Sequence, residues 1–235
     1  MNNYHQTPTI VLVHGAWADG SSWKDVILGL EGEGLRVVAA PIPLTSLGDD
    51  AGALKRAVAR TKGPVILVGH AYAGAVIGMV DHERMKALVY VAALAPDEGE
   101  TVAQVFYKDE KHPQSPKLAP DADGFIWMPE EGFRNAFSQH ATAEQVAVSA
   151  AVQRPIAAKC IQEVVPKPAW RSTPCWFLIA EEDRMINPNT QHFMAKRMGA
   201  KTRSLPVDHT PLLTAPQKVV DIIMEATMET KKAIS

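Results

Sequence analysis

Cysteine is scarce, cationic charge is not in excess, and no long apolar run is present. Two cysteines, Cys160 and Cys175, are too few for a disulfide framework or a four-thiolate zinc site. At most one bridge could form, and two reduced thiols fit a cytosolic protein better. The chain carries 24 Lys+Arg against 26 Asp+Glu, a net charge of −2, which leaves no surplus to hold a nucleic-acid backbone or an anionic membrane. The most apolar stretch, Val65 to Val80, is interrupted by His70 and by Gly69, Gly74 and Gly78, and it is too short to span a bilayer. The opening Met-Asn-Asn-Tyr-His-Gln-Thr-Pro has no basic start and no apolar centre, so it does not read as a secretion signal. These absences lead to the expectation of a cytoplasmic protein with no nucleic-acid or membrane partner.

What is present describes an ordinary globule. Hydrophobic residues make up 46% and charged residues 21% of 235 residues. That length is about one and a half times a roughly 150-residue domain, favouring one domain over residues 1–235, with an insertion. A chain of this size can bury about 70–75% of its unfolded surface without a metal or disulfide staple.

Short apolar runs alternate with longer amphipathic segments. Ile10–Val13, Leu35–Ala40, Val65–Val68 and Ala87–Ala93 read as strands, and the segments 19–33, 49–61 and 72–80 between them as helices. This rhythm predicts an α/β fold with a mostly parallel sheet flanked by helices. The rhythm breaks at Pro96. From about residue 97 to 170 the chain reads as loop and helix without a buried strand, with a helical stretch at 143–165 interrupted near Pro155. It resumes with a strand at Cys175–Ala180, a helix at 189–198, a strand at 202–207 and a closing helix at 216–228. An insertion at a strand end sits where such sheets bind ligands, so 97–170 is expected to form a helical cap.

The most informative stretch is Val65-Ile66-Leu67-Val68-Gly69-His70-Ala71-Tyr72-Ala73-Gly74. A buried strand enters a small-residue turn and passes directly into a helix, the setting of the G-x-S-x-G nucleophile elbow. The central residue of that turn is normally held over a helix N-terminus, where the dipole favours developing negative charge. Here it is Ala71, and a methyl group cannot attack a carbonyl.

On these residues the chain resembles the α/β-hydrolases. It is most similar to the small esterases related to plant methyl-salicylate esterases and hydroxynitrile lyases. The resemblance extends to Val13-His14-Gly15-Ala16-Trp17, which matches the family's oxyanion loop. It includes Glu182-Asp183-Arg184 after one strand and Val207-Asp208-His209-Thr210-Pro211 after the last. The order nucleophile, acid, histidine is the hydrolase order. The resemblance implies His209 as general base and acid, and Asp183 as the carboxylate that orients it. It implies the backbone N–H groups of Ala16 and Tyr72 as the oxyanion hole, and an empty nucleophile role at Ala71. Hydroxynitrile lyases of this group carry a lysine just after the histidine. The residue here is Thr210, which argues against cyanohydrin cleavage.

Three functional readings remain open. The first is a carboxylesterase or lactonase for a small apolar ester whose serine has been exchanged for alanine, so that turnover is impaired. The second is a nucleophile-free lyase or decarboxylase that uses His209 and Asp183 as a base. The third is a ligand-binding homologue without catalysis. No cofactor is implied, and no histidine or carboxylate spacing predicts a metal. Trp17, His70 and Trp127 are candidate substrate contacts, although aromatic positions more often fill cores. His14 reads as structural, bonding its own loop. His140 and His192 read as surface residues, and His5, His82 and His112 have no context that indicates chemistry. Asp208 adjoins His209, but neighbours at a strand end point apart, so Asp183 is the better acid.

Overall fold

The structure, a computed structural model, describes residues 7–234; Met1–Gln6, and with them the reading of His5 and of the opening segment, lie outside the described residues, as does Ser235. The strands are β1 Thr9–Val13, β2 Arg36–Ala40, β3 Val65–His70, β4 Met85–Val91, β5 Phe125–Ile126, β6 Ile156–Ala157, β7 Cys175–Ala180 and β8 Lys201–Leu205. The helices are α1 Lys24–Gly32, α2 Leu47–Ala59, α3 Ala73–Gly78, α4 Val102–Phe106, α5 Glu130–Gly132, α6 Ala143–Ala151, α7 Ala158–Gln162, α8 Pro188–Arg197, α9 Pro211–Thr214 and α10 Pro216–Ile234.

Six strands form a parallel sheet in the order β2-β1-β3-β4-β7-β8. Every residue of β1, β3 and β7 is buried, as a sheet covered on both faces requires. Successive residues alternate between the two sides. Val11, Val13, Val65 and Leu67 join one apolar cluster with Leu54 of α2 and Val76 of α3. Ile10, Leu12, Ile66 and Val68 join the other with Leu30 of α1 and Ile223 of α10. The edge strands β2 and β8 carry Arg36, Lys201 and Arg203, charges that discourage further strand pairing. Helix starts follow local chemistry: Ser46 accepts the N–H of Asp49 to cap α2, and Thr142 and Gln145 form a capping box on α6.

The excursion between β4 and β7 departs from the sequence reading in one respect. It contains a short antiparallel pair, β5 with β6, where only loop and helix were expected. The expected helix over 143–165 breaks into α6 and α7 with β6 between them. Pro155 forces Arg154 toward extended backbone, and a two-residue strand is too short to leave a periodic signal. The pair is anchored to the core, since Ala157 N–H donates to the Leu44 carbonyl at 2.9 Å. Among the described residues no helix is long and apolar enough to cross a membrane.

The turn after β3 sets the tightest packing in the fold. A Cβ on Gly74 would lie 2.3 Å from the Leu94 carbonyl oxygen and 2.9 Å from the Ala93 Cβ, so α3 sits against the β4 exit with no room for a methyl group. Gly32, at the end of α1, has nothing within 4 Å of such a Cβ. Gly74→Ala is therefore expected to cost about 3 kcal/mol. Gly32→Ala should stabilise the protein by about 0.5 kcal/mol through helix propensity alone. Urea denaturation midpoints of the two variants measure the contrast, and equal midpoints would contradict this packing.

Candidate active site

The order of the sheet reverses between β1 and β3, and the loops leaving the two strands part there to open a crevice. β1 leads into Gly15, Ala16 and Trp17, and β3 into Ala71 and Tyr72. The two loops almost touch, since a Cβ on Gly15 would meet the Ala71 Cβ and the His70 carbonyl oxygen, each at 3.1 Å. Ala71 has φ +51° and Trp17 φ +58°, left-handed conformations that cost a residue with a Cβ about 1–2 kcal/mol. Three backbone bonds hold Ala71 there: its N–H donates to Val91 O at 3.3 Å, and its carbonyl accepts from Gly74 N at 3.1 Å and Leu94 N at 2.9 Å. The sharp turn is thus retained with a methyl group at its apex. Among the described residues, the N–H groups of Ala16 and Tyr72 are given to no loop carbonyl or side chain.

The loops after β7 and β8 bring in the acid and the histidine. His209 Nδ1 lies 2.8 Å from Asp183 Oδ2, and both side chains are buried. The Asp183 carboxylate is fully engaged. Oδ1 accepts from Met185 N at 2.7 Å and Ile186 N at 2.8 Å, and Oδ2 accepts from Gln191 Nε2 at 2.8 Å. An acceptor at this position puts the imidazole proton on Nδ1 and leaves Nε2 as the basic nitrogen. Asp208 faces elsewhere, accepting from His140 N, Thr210 N and the Thr214 hydroxyl.

Ala71, Tyr72, Ala16, Trp17 and His209 line one cavity of about 60 Å³. Leu94, Val102, Phe106, Ile126, Ile156 and Phe137 complete much of its wall, and no Asp, Glu, Lys or Arg is among its described lining residues. Tyr72 is steadied from behind: its hydroxyl donates to Asp50 Oδ2 at 2.7 Å, and Asp50 Oδ1 also accepts from Leu44 N. Burial raises the Asp50 carboxyl above the usual range.

Two expected substrate contacts lie elsewhere. Trp127 is 50% exposed, and its indole N–H donates to Asp121 at 3.1 Å. Its neighbour Ile126 faces the cavity instead, because adjacent residues of an extended segment point to opposite sides. His70 is buried behind His209 rather than in the cavity wall. Its Nε2–H donates to the His209 carbonyl at 2.7 Å, and the two rings lie 4.9 Å apart. Gln191, Asp50 and Phe137 were not anticipated. Gln191 and Asp50 act through contacts distant in sequence, while Phe137 had a faint signal in its four-residue spacing from Phe133.

The other histidines are paired locally. His14 Nδ1 lies 2.9 Å from Gly15 O, His140 and His192 meet Glu182 and Glu181, and His82 and His112 accept backbone N–H groups. Among the described residues no group of three or more His, Cys, Asp or Glu could hold a metal ion. Cys160 and Cys175 are buried free thiols, pushed up to about 12 chiefly by burial.

Burial also lowers two imidazoles. His70 is brought down to about 3 by desolvation and then by the neighbouring His209, and His14 is lowered chiefly by desolvation. Both give up their protons more readily in the folded chain than in the unfolded one, whose imidazoles take up protons at about pH 6.5. The stability they support is present above that pH. For His70 it is lost progressively as pH falls from about 6.5 toward 3, at up to about 1.4 kcal/mol per pH unit. His70→Gln, which keeps an N–H donor, should flatten the slope of unfolding free energy between about pH 6 and 4. Chemical denaturation across that range reads the slope, and an unchanged slope would refute the assignment.

Comparison with known proteins identifies the fold and the family. The alpha/beta hydrolase family model matches residues 10–222. Norfluorocurarine synthase 2 from Strychnos sp. is 22% identical over 264 residues, covering 96% of this chain and 97% of that protein. A carbendazim hydrolyzing esterase from Nocardioides sp. (strain SG-4G) is 32% identical over 116 residues, 42% of this chain and 47% of its own length. The crystal structure of the pyrethroid hydrolase PytH shares the fold with a TM-score of 0.80 at 21% identity, covering 95% of this chain and 98% of that one. With 213 consecutive residues matched to the family model, the chain belongs to the alpha/beta hydrolase family.

Proposed function

We propose that the chain is built as a serine-type carboxylesterase or lactonase for a small, apolar ester, with Ala71 occupying the place of the nucleophile. The observation that carries this reading is the His209–Asp183 bond of 2.8 Å, made in full burial, with His209 on the same cavity wall as the left-handed Ala71. In the serine form, His209 Nε2 takes the hydroxyl proton as Oγ attacks the ester carbonyl. It later returns the proton to the leaving alcohol. Asp183 holds the tautomer and stabilises the imidazolium, and Gln191 with two backbone N–H groups keeps the carboxyl group aimed. The N–H groups of Ala16 and Tyr72 receive the oxyanion, worth roughly 3–4 kcal/mol per donor in comparable sites. An apolar wall without fixed charge matches an uncharged ester. The residues from about 97 to 170 serve as the cap that closes over it. The Nocardioides relative named for an esterase activity supports the reaction class.

With alanine at the turn no acyl-enzyme can form, so the chain binds ester and turns it over poorly. A second reading keeps catalysis without a nucleophile. His209 would act as a base while the two N–H groups stabilise an enolate, as in a lyase or decarboxylase. It draws support from the intact buried His209–Asp183 hydrogen bond, which a mere binder does not need, and from the synthase name of the Strychnos relative.

Ala71→Ser decides between them on p-nitrophenyl acetate and butyrate. The esterase reading expects a gain in kcat/KM of at least about 10³-fold, abolished by a further His209→Ala. No gain, together with activity of the Ala71 chain that depends on His209, would favour the nucleophile-free enzyme. Ligand binding indifferent to His209→Ala would leave the non-catalytic homologue.

A further inference from the structure

A second cleft lies directly behind the cavity just described. Its volume is about 350 Å³, against about 60 Å³ for the cavity that holds Ala71. Trp17 and Phe137 line both. Their rings meet edge to face at 5.9 Å and form the partition between the two spaces. Beyond them the cleft runs between the turn Gly20–Trp23 and α6, past Ser22, Ser149, Val152, Leu212 and Leu213, to a mouth at Lys24 and the exposed Val148.

The two leaves of the partition are held differently. Trp17 is a post. Its indole N–H donates to Ile126 O at 2.9 Å, and its backbone N–H donates to Arg154 O at 3.0 Å. Phe137 is held by packing, in the apolar cluster and through ring contacts with Trp17, Phe133 at 5.3 Å, His209 at 5.2 Å and His70 at 6.4 Å. It closes a π-helical turn, Phe133–Phe137, whose signature bond is Ser138 N–H to Phe133 O at 2.8 Å. Such turns present side chains off the regular helical rows and recur at functional positions. Because the Phe137 ring lines both spaces, shortening that side chain would join them.

We infer that Phe137 is the size-determining partition of an elongated substrate site, and that the second cleft receives the far alkyl or aryl end of a longer uncharged ester. The inference rests on the ester-binding reading above. The closed partition confines the reacting end to a small apolar cavity beside His209, and the cleft adds a mixed surface on which a longer group can lie. Phe137 is a specificity-determining residue in this assignment. It touches the reacting histidine only through ring packing.

The test measures equilibrium binding of p-nitrophenyl acetate, butyrate, octanoate and decanoate to the unaltered Ala71 chain, which turns them over poorly. The same series is run on Phe137→Ala and on the milder Phe137→Leu, with circular dichroism confirming that each is folded. Opening the partition is expected to raise the affinity for octanoate and decanoate, relative to that for acetate, at least tenfold. Phe137→Leu should give the same ranking with a smaller gain. Ser149→Trp, added to Phe137→Ala, fills the cleft from α6 and should remove the gain for long esters while sparing the short ones. Short esters binding all variants, with long esters gaining nothing, would overturn the partition and leave the ester-binding reading standing. A uniform gain for every chain length, or a gain that survives Ser149→Trp, would also overturn it. Failure of every ester to bind any variant would overturn both.

Discussion

The site depends on one steric constraint, the contact between the loop after β1 and the turn after β3. A Cβ on Gly15 would press the Ala71 Cβ and the His70 carbonyl oxygen at 3.1 Å, one on Gly69 would strike the Ala73 carbonyl of its own turn at 2.6 Å, and one on Gly74 would strike the Leu94 carbonyl at 2.3 Å. Only with those carbons missing can Ala71 take its left-handed conformation, with Val91, Gly74 and Leu94 bonding its backbone. Once the turn is formed, the N–H groups of Ala16 and Tyr72 are left without carbonyl partners among the described residues, beside one cavity. The turn stores about 1–2 kcal/mol of local strain. The surrounding sheet holds it, because β3 is buried along its whole length and hydrogen-bonded on both sides.

The electrostatic layout follows from that geometry. Asp183 is buried, and two backbone N–H groups, Gln191 and the imidazole N–H surround its carboxyl group. Removing water from a charge is costly unless such donors replace it. His70 shows the opposite solution. It too is buried, but it meets a carbonyl and another histidine instead of an anion, so it is held neutral down to about pH 3. Two histidines with rings 4.9 Å apart are thereby assigned different tasks by what each faces. One is set against a carboxylate and opens onto the cavity, and the other is spent on holding the main chain of the first.

The legible parts of the sequence were those governed by local rules. Strands β1, β3 and β7 announced themselves as uninterrupted apolar runs, since both faces of the sheet are covered. The turn at Gly69-His70-Ala71 was legible because close backbone approach leaves only small residues as solutions. Asp183 and His209 were legible as strand-end residues of a resembled family, and their 2.8 Å separation is a fact only of the fold. The wall of the cavity was not legible. Trp127 is a candidate contact by sequence, yet Ile126 beside it lines the cavity, since a single step along an extended segment decides which of the two faces inward. Gln191 and Asp50 reach their partners across 8 and 22 residues of sequence, and no periodicity encodes such contacts.

The methyl group at position 71 separates two properties that serine would combine. Binding requires the apolar wall, the two N–H groups and the ordered imidazole, and none of these involves the side chain of residue 71. On the esterase reading proposed above, bond formation requires an oxygen at one point in space, which the Ala71 methyl group does not supply. Burying a polar pair such as Asp183 and His209 carries a desolvation cost that ligand binding alone does not call for. The buried pair, with Gln191 behind it, therefore supports the proposed readings that use proton transfer at His209 over the one that uses binding alone.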